Sequence, residues 1–376
     1  MRLAGVLLLS LLIVLASACL SNAPAEKTST TSISSSSRSI PETTSSPFQL
    51  SHTSFPVPSN ATFPKIAQQN VTPTTQTTPK GEDSSQIQVK GRLNLSSVRG
   101  WAYWLQNASP EVIARSGFEL VVMDYSRDGS DERAYTREEI EMIKRAGVIP
   151  IAYISIGEAE NYRFYWKEGW KENSPGWLGP ENPDWEGNYA VKYWEEGWKQ
   201  IIFKYLDKII AQGFSGVYLD KVDEYWFWAK NGYNESWTAR QMIEFILEIA
   251  NYTRSKAGPS FIIIPQNGEY LLEYDNGTLL ETVSGWASED VFYDGLGSSP
   301  WTGEKVSLLD RVVKAGKVVL VVDYVDDGTR GEEDLVRILD FIEKAQDRGY
   351  LPYAAFEGRE LDRLDVIPGI QPPTEK

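Results

Sequence analysis

The sequence predicts an α/β chain folded as a closed (β/α)8 barrel of the TIM type, placed behind a signal segment and a long polar stalk. Two observations point there. Short apolar runs alternate with amphipathic helical patterns along the last three quarters of the chain, which builds a parallel sheet. Eight such runs fall within about 270 residues, a repeat that suits a closed barrel better than an open doubly wound sheet. No GxGxxG or P-loop string follows any run, so the usual nucleotide-binding sheets are disfavoured.

The expected strands are 101–106, 120–125, 149–154, 216–220, 261–266, 283–287, 318–323 and 351–355. The run from Val318 to Val322 is apolar at every position, the mark of a parallel strand buried on both faces. Helices fill the gaps. Thr136 is an N-cap with Glu139 at the capping-box position, and that helix stops near Gly147. Ile201, Ile202, Tyr205 and Ile209 recur at helical spacing over 198–211 and end at Gly213. Further helices are expected over 237–253 and 331–348.

The chain ahead of the barrel is of different material. Residues 1–18 combine Arg2, an apolar run from Leu7 to Leu15 and the small residues Ala16, Ser17 and Ala18. The run is too short for an ordinary membrane span and has the length of a signal peptide. Cys19 follows directly, so cleavage before it and a lipid on its sulfur are expected. The alternative is a plain signal peptide in which Cys19 is incidental. Cys19 is the only cysteine, so no disulfide forms within the chain. Residues 19–95 are rich in Ser and Thr with scattered Pro, too poor in apolar groups to offset the entropy of ordering. They are expected to be a disordered linker that holds the domain at 96–370 off the outer face of the cell membrane.

Charge and missing residue types narrow the chemistry. Seven of the 37 basic and four of the 52 acidic residues precede residue 97, which leaves the remainder with a net charge of −18. Nucleic acid is excluded as a partner on that ground, because phosphates need a basic surface. A neutral or cationic ligand fits better, although acidity alone also keeps a secreted protein soluble. The one histidine, His52, lies in the linker. Ser-His-Asp triads, cysteine nucleophiles and histidine-ligated metals are therefore excluded from the barrel. No cofactor is expected, and the metal chemistry left open is a carboxylate-bound Mg2+ or Ca2+.

Active sites of such barrels sit at the C-terminal ends of the strands. Polar side chains gather there: Asp124 and Tyr125 on the second strand, Glu158 and Glu160 after the third, Asp220 and Asp223 at the fourth. Gln266 and Asn267 end the fifth, Glu289 follows the sixth and Asp323 ends the seventh. A single acid can serve as a helix cap, but several on one mouth raise one another's pKa. Carboxylates working without histidine, cysteine or cofactor point mainly to glycosidic bond cleavage. Aromatic residues agree. The segment from Glu158 to Glu196 is far longer than a usual βα loop and holds Trp166 among many rings, while Trp226 follows the fourth strand. Sugar rings stack on such planes, and about half of these rings are expected to pack the loop itself.

Three strings carry a resemblance: 121–129 (VVMDYSRDG), 151–160 (IAYISIGEAE) and 213–223 (GFSGVYLDKVD). Together they resemble the glycoside hydrolase family of endo-α-1,4-polygalactosaminidases and their archaeal and thermophilic-bacterial relatives. The resemblance implies a TIM-type barrel, cleavage of α-1,4-linked galactosamine polymers, Asp220 as nucleophile and Glu289 as acid/base. It also implies a sugar subsite lined by Asp124, Tyr125, Glu160, Asp223 and Asn267. The leading expectation is an endo-acting glycosidase. A non-catalytic carbohydrate-binding surface lipoprotein and a carboxylate-metal enzyme that uses Lys221 toward an anion are the other readings.

Overall fold

A computed structural model describes residues 95–373; Cys19 with its signal segment and nearly all of the Ser/Thr-rich linker lie outside the described residues. The eight expected strands all form. In chain order the barrel starts with β1 (Trp101–Tyr103), β2 (Leu120–Met123) and β3 (Ile149–Ser155). An excursion then carries β4 (Glu158–Glu160), β5 (Leu178–Glu181) and β6 (Asn188–Val191). The barrel resumes with β7 (Gly216–Asp220), β8 (Ile262–Pro265) and β9 (Gly285–Glu289). A short hairpin of β10 (Tyr293–Asp294) and β11 (Gly297–Ser298) precedes β12 (Val318–Asp326) and β13 (Leu351–Phe356).

Two parallel ladders, β1–β2–β3–β7–β8 and β9–β12–β13, make the wall. A parallel bridge from Gln266 to Ala287 and the bond from Ser284 N to Ile263 O (2.8 Å) join β8 to β9. At the other seam, Trp101 Nε1 donates to Leu351 O at 2.8 Å and its ring meets Tyr353 of β13. The first expected strand is cut short because Leu105 and Gln106 turn their amides to Leu361 O instead of the neighbouring strand.

Helices α1 (Pro110–Ile113), α2 (Arg137–Arg145) and α3 (Glu196–Gln212) cover the first half. The capping box at Thr136 and Glu139 forms in both directions, and Gly213 ends α3 in the left-handed region at φ 93°. Then come α4 (Glu224–Lys230), α5 (Glu235–Ala257), α6 (Leu271–Tyr274) and α7 (Thr278–Thr282). The shell closes with α8 (Thr302–Lys314) and α9 (Glu332–Asp347). Helix α8 is absent from the sequence expectation, although it buries Val306, Leu308, Leu309 and Val312 at helical spacing.

The long segment after β3 is folded rather than loose: β4, β6 and β5 form an antiparallel sheet. Its rings mostly pack one another. Trp166, Trp170, Trp177 and Trp198 form a chain with centroid separations of 5.3, 5.0 and 5.1 Å. The barrel interior is aromatic too. Trp101 and Tyr103 of β1 meet Tyr218 of β7 at 6.4 and 5.2 Å. Each such ring buries ~150–250 Å2, which contributes roughly 4–6 kcal/mol before the cost of ordering. This packed floor leaves the C-terminal mouth as the place for a site.

Candidate active site

Strand alternation turns Gly216, Tyr218 and Asp220 of β7 to the same face, and Tyr218 shows that this face is inward. Asp220 therefore stands at the rim directly above Tyr218. Tyr153 of β3, in register with Tyr218, sends its hydroxyl to Asp220 Oδ2 at 2.7 Å. On β9, Glu289 continues the face of Ala287. Tyr324 OH donates to its Oε1 at 2.5 Å and Asn267 Nδ2 to its Oε2 at 3.2 Å. Asn267 Oδ1 also accepts the Glu289 amide at 3.0 Å, and Lys305 Nζ bonds the Glu289 carbonyl at 2.5 Å. Asp220 and Glu289 thus rise from strands separated only by β8, each held by a phenol.

Burial, then the field of Glu289, pushes the Asp220 carboxyl up to about 7, against the Tyr153 bond and the Lys221 charge. Burial pushes the Tyr103 and Tyr218 hydroxyls well above their usual range, with both carboxylates adding to it. These phenols stay neutral, so they can donate to a carboxylate or a sugar without adding charge. Tyr218 spends its proton on Gln266 Oε1. That leaves Gln266 Nε2 buried without a protein partner.

Backbone strain marks the same rim. Just past the ends of these three strands, Lys221 and Asp290 (one residue after β7 and β9) and Asn267 (two after β8) have φ of 60°, 51° and 59°. None is glycine. Such strain persists where surrounding contacts over-determine it, and it clusters at functional sites. Asp290 is held by both guanidinium nitrogens of Arg359 at 2.9 and 2.8 Å. Lys221 is held by Glu158 at 2.9 Å. Gly157 passes so close above it that a Cβ there would lie 2.1 Å from Lys221 O.

The other expected residues divide. Asp124 and Glu160 are both buried and share Arg163, itself 4% exposed, through bonds of 2.6 Å each. Burial raises the Asp124 pKa, with Arg163 opposing it. Glu158 is buried on Lys221 and accepts from Asn182 at 2.8 Å. Asp223 stands at the N-cap position of α4, three residues beyond Asp220, with its side chain making no cap bond. Trp226 on α4 is 47% exposed and lies edge-on to Tyr270, which leaves surface for a ring to stack.

Two expectations, Tyr125 and Asp323, are corrected by position. Tyr125 is fully buried and gives its hydroxyl to Gly129 O, so it has no face for a ligand. Trp166 packs on Trp170 and Tyr189 in the excursion and stays partly exposed. Asp323 alternates to the opposite side from Tyr324 and accepts the amides of Val291, Phe292 and Tyr293, all at 2.8 Å. It anchors the loop behind Glu289 instead of facing the mouth. Sequence reasoning missed Tyr153, Tyr324 and Arg163. The last had a signal, as the one arginine between Glu158 and Glu196. Among the described residues, no group of three or more acids is arranged to hold a metal ion.

A parallel barrel with paired carboxylates at its C-terminal rim defines the class of the barrel glycoside hydrolases. The family model for glycoside-hydrolase family GH114 matches residues 78–368, and the chain belongs to that family. It is 58% identical over 299 residues to the uncharacterized protein MJ1477 of Methanocaldococcus jannaschii, covering 77% of this chain and 86% of that protein. An uncharacterized protein of Thermotoga maritima is 52% identical over 278 residues, 73% of this chain and 85% of that one. Among solved structures, the glycoside hydrolase domain of PelA from Pseudomonas aeruginosa superposes with a TM-score of 0.55 at 18% identity, covering 72% of this chain and 98% of that domain. Aspergillus fumigatus Ega3 in complex with galactosamine gives 0.55 at 18%, covering 74% and 100%. These two likenesses establish a shared fold.

Proposed function

We propose that the protein is an endo-acting hydrolase of an extracellular polysaccharide, that its substrate is an α-1,4-linked galactosamine polymer, and that Asp220 and Glu289 are its catalytic pair. The observation that carries the reading is the placement of these two carboxylates across β8, each steadied by a neutral phenol above an aromatic floor. The substrate rests on the net charge of −18 beyond the linker, which suits a cationic amino sugar, and on the galactosamine bound by the similarly folded Ega3. A lipid on Cys19 would tether the enzyme to the outer face of the cell membrane.

The chemistry runs in two displacements. Asp220 attacks the anomeric carbon while the glycosidic C–O bond breaks, and Glu289 delivers a proton to the leaving oxygen. A glycosyl ester on Asp220 results. Water then attacks the same carbon, Glu289 takes the water's proton back, and Asp220 leaves as a carboxylate. Trp226, half-exposed on α4, offers a stacking plane for a sugar ring. The test is product release from a panel of polysaccharides that includes α-1,4-galactosamine polymer. Asp220→Asn should lose at least about 1,000-fold in rate with the fold retained. Cleavage that survives this substitution contradicts the assignment. Binding of a polymer with no cleavage of any would favour a sugar-binding surface protein.

A further inference from the structure

The loop after β13 meets the loop after β9, two strands away in the wall, and one side chain makes the connection. Arg359 forks onto both oxygens of Asp290, at 2.9 and 2.8 Å, and reaches Asp294 at 3.2 Å. Its guanidinium carbon also lies 4.3 Å from the centre of the Tyr324 ring. Tyr324 in turn donates to Glu289 Oε1 at 2.5 Å. Arg359 therefore meets Glu289 by two routes: through the face of the phenol that bonds its carboxylate, and through the residue next to it in sequence. Both ends of the clasp are strained, with φ of 51° at Asp290 and 62° at Arg359. A planar fork fits a carboxylate and a ring face together, which a lysine ammonium does not.

We infer that Arg359 is a positioning residue, which holds Glu289 and Tyr324 in the geometry needed to protonate the leaving oxygen. The inference rests on the reading of Glu289 as acid/base. A surface ion pair of purely structural value would tie the two loops together and leave the chemistry alone, since such partly exposed pairs contribute little. The clasp differs because one contact is the face of the phenol that bonds the reacting carboxylate and the other holds the residue that follows it in sequence. Small displacements of a catalytic group cost large factors in rate.

The test uses Arg359→Lys, Arg359→Met and Asp290→Asn in the full chain, with two substrates. The galactosamine polymer has a poor leaving group and needs the acid. An aryl galactosaminide with a strongly acidic phenol does not. On the polymer, Arg359→Met and Asp290→Asn should each lower kcat by roughly tenfold or more with KM within about twofold. On the aryl substrate the loss should shrink to within about threefold. Arg359→Lys should behave like Arg359→Met, because charge without the fork is not enough. Equal losses on both substrates, an effect on KM alone, or no loss on the polymer would overturn the inference. Glu289→Gln is run alongside. If it cleaves polymer at the wild-type rate, the acid/base reading itself fails, whatever Arg359 does.

Discussion

Asn267 grips Glu289 twice, donating Nδ2 to one carboxylate oxygen and accepting the Glu289 amide on Oδ1, at 3.2 and 3.0 Å. It can do so because its own backbone sits at φ 59°, which turns the side chain along the rim to β9. Asn267→Gly removes both bonds while keeping a residue that tolerates this backbone. The expected result is a fall in kcat of roughly 10–100-fold, the rate equivalent of about 1.4–2.7 kcal/mol of lost positioning. Steady-state kinetics beside a thermal melt separate this from unfolding, and an unchanged kcat would remove Asn267 from the machinery.

The Asp220 carboxyl is raised from an ordinary 3.8 to about 7, and a nucleophile must be ionised. The rate therefore falls as pH drops through about 7 in kcat/KM, which reports the free enzyme. Tyr153 bonds the charged form, so Tyr153→Phe should move that limb to higher pH. A bound ammonium sugar favours the carboxylate, so the limb in kcat should lie below the limb in kcat/KM for the galactosamine polymer. Stability runs with the opposite sign. A carboxyl whose folded pKa is raised contributes stability that is complete below the unfolded value and is lost as pH rises through about 7. Asp220→Asn should melt above wild type at pH 8, and the two should converge below about pH 4.

Asp323 is a structural acid despite its place on a strand end. Asp323→Ala would leave three amides of the loop after β9 without their acceptor. The expected cost is about 2–4 kcal/mol, since some of those donors would find water. Denaturant unfolding measures it, and a change under about 0.5 kcal/mol, the ordinary surface range, would contradict the anchoring role.

Arg163 neutralises two buried acids at once, so its removal should be costly. Arg163→Met should destabilise the fold by about 3–5 kcal/mol at pH 7, as expected when one partner of a buried pair is removed. Lowering the pH would protonate Asp124, whose pKa burial already raises, and shrink the difference. A variant that melts with wild type at pH 7 would show that the triad carries no net weight.

Much of this was legible in the sequence. Eight apolar runs gave the barrel strands within a few residues, because a strand buried on both faces leaves a continuous apolar signature. That same signature hid which way the last residues point. In 318–322 every position is apolar, so nothing in the pattern tells Asp323 from Tyr324, and the structure sends the acid outward and the phenol in. The three-stranded excursion was unreadable for the reverse reason. Glu158, Ala159 and Glu160 carry charge where a strand is apolar, and Gly179 and Pro180 interrupt β5 with residues that weaken strands. Those charges are tolerated because Lys221 and Arg163, remote in the chain or hidden among rings, meet them. Pairing between distant residues leaves no periodic mark.

The reversals at Lys221, Asn267 and Asp290 bear on how this scaffold can change. Each turns the chain aside within two residues of a strand end, so the segment that follows sets off in a new direction from the side chain before it. The excursion behind β3 carries a whole extra sheet, while Tyr153 of that strand keeps its bond to Asp220. Loop segments beyond the Arg359–Asp290 clasp and the Lys221–Glu158 pair can lengthen or be exchanged to suit a new polymer, while the two carboxylates keep their station.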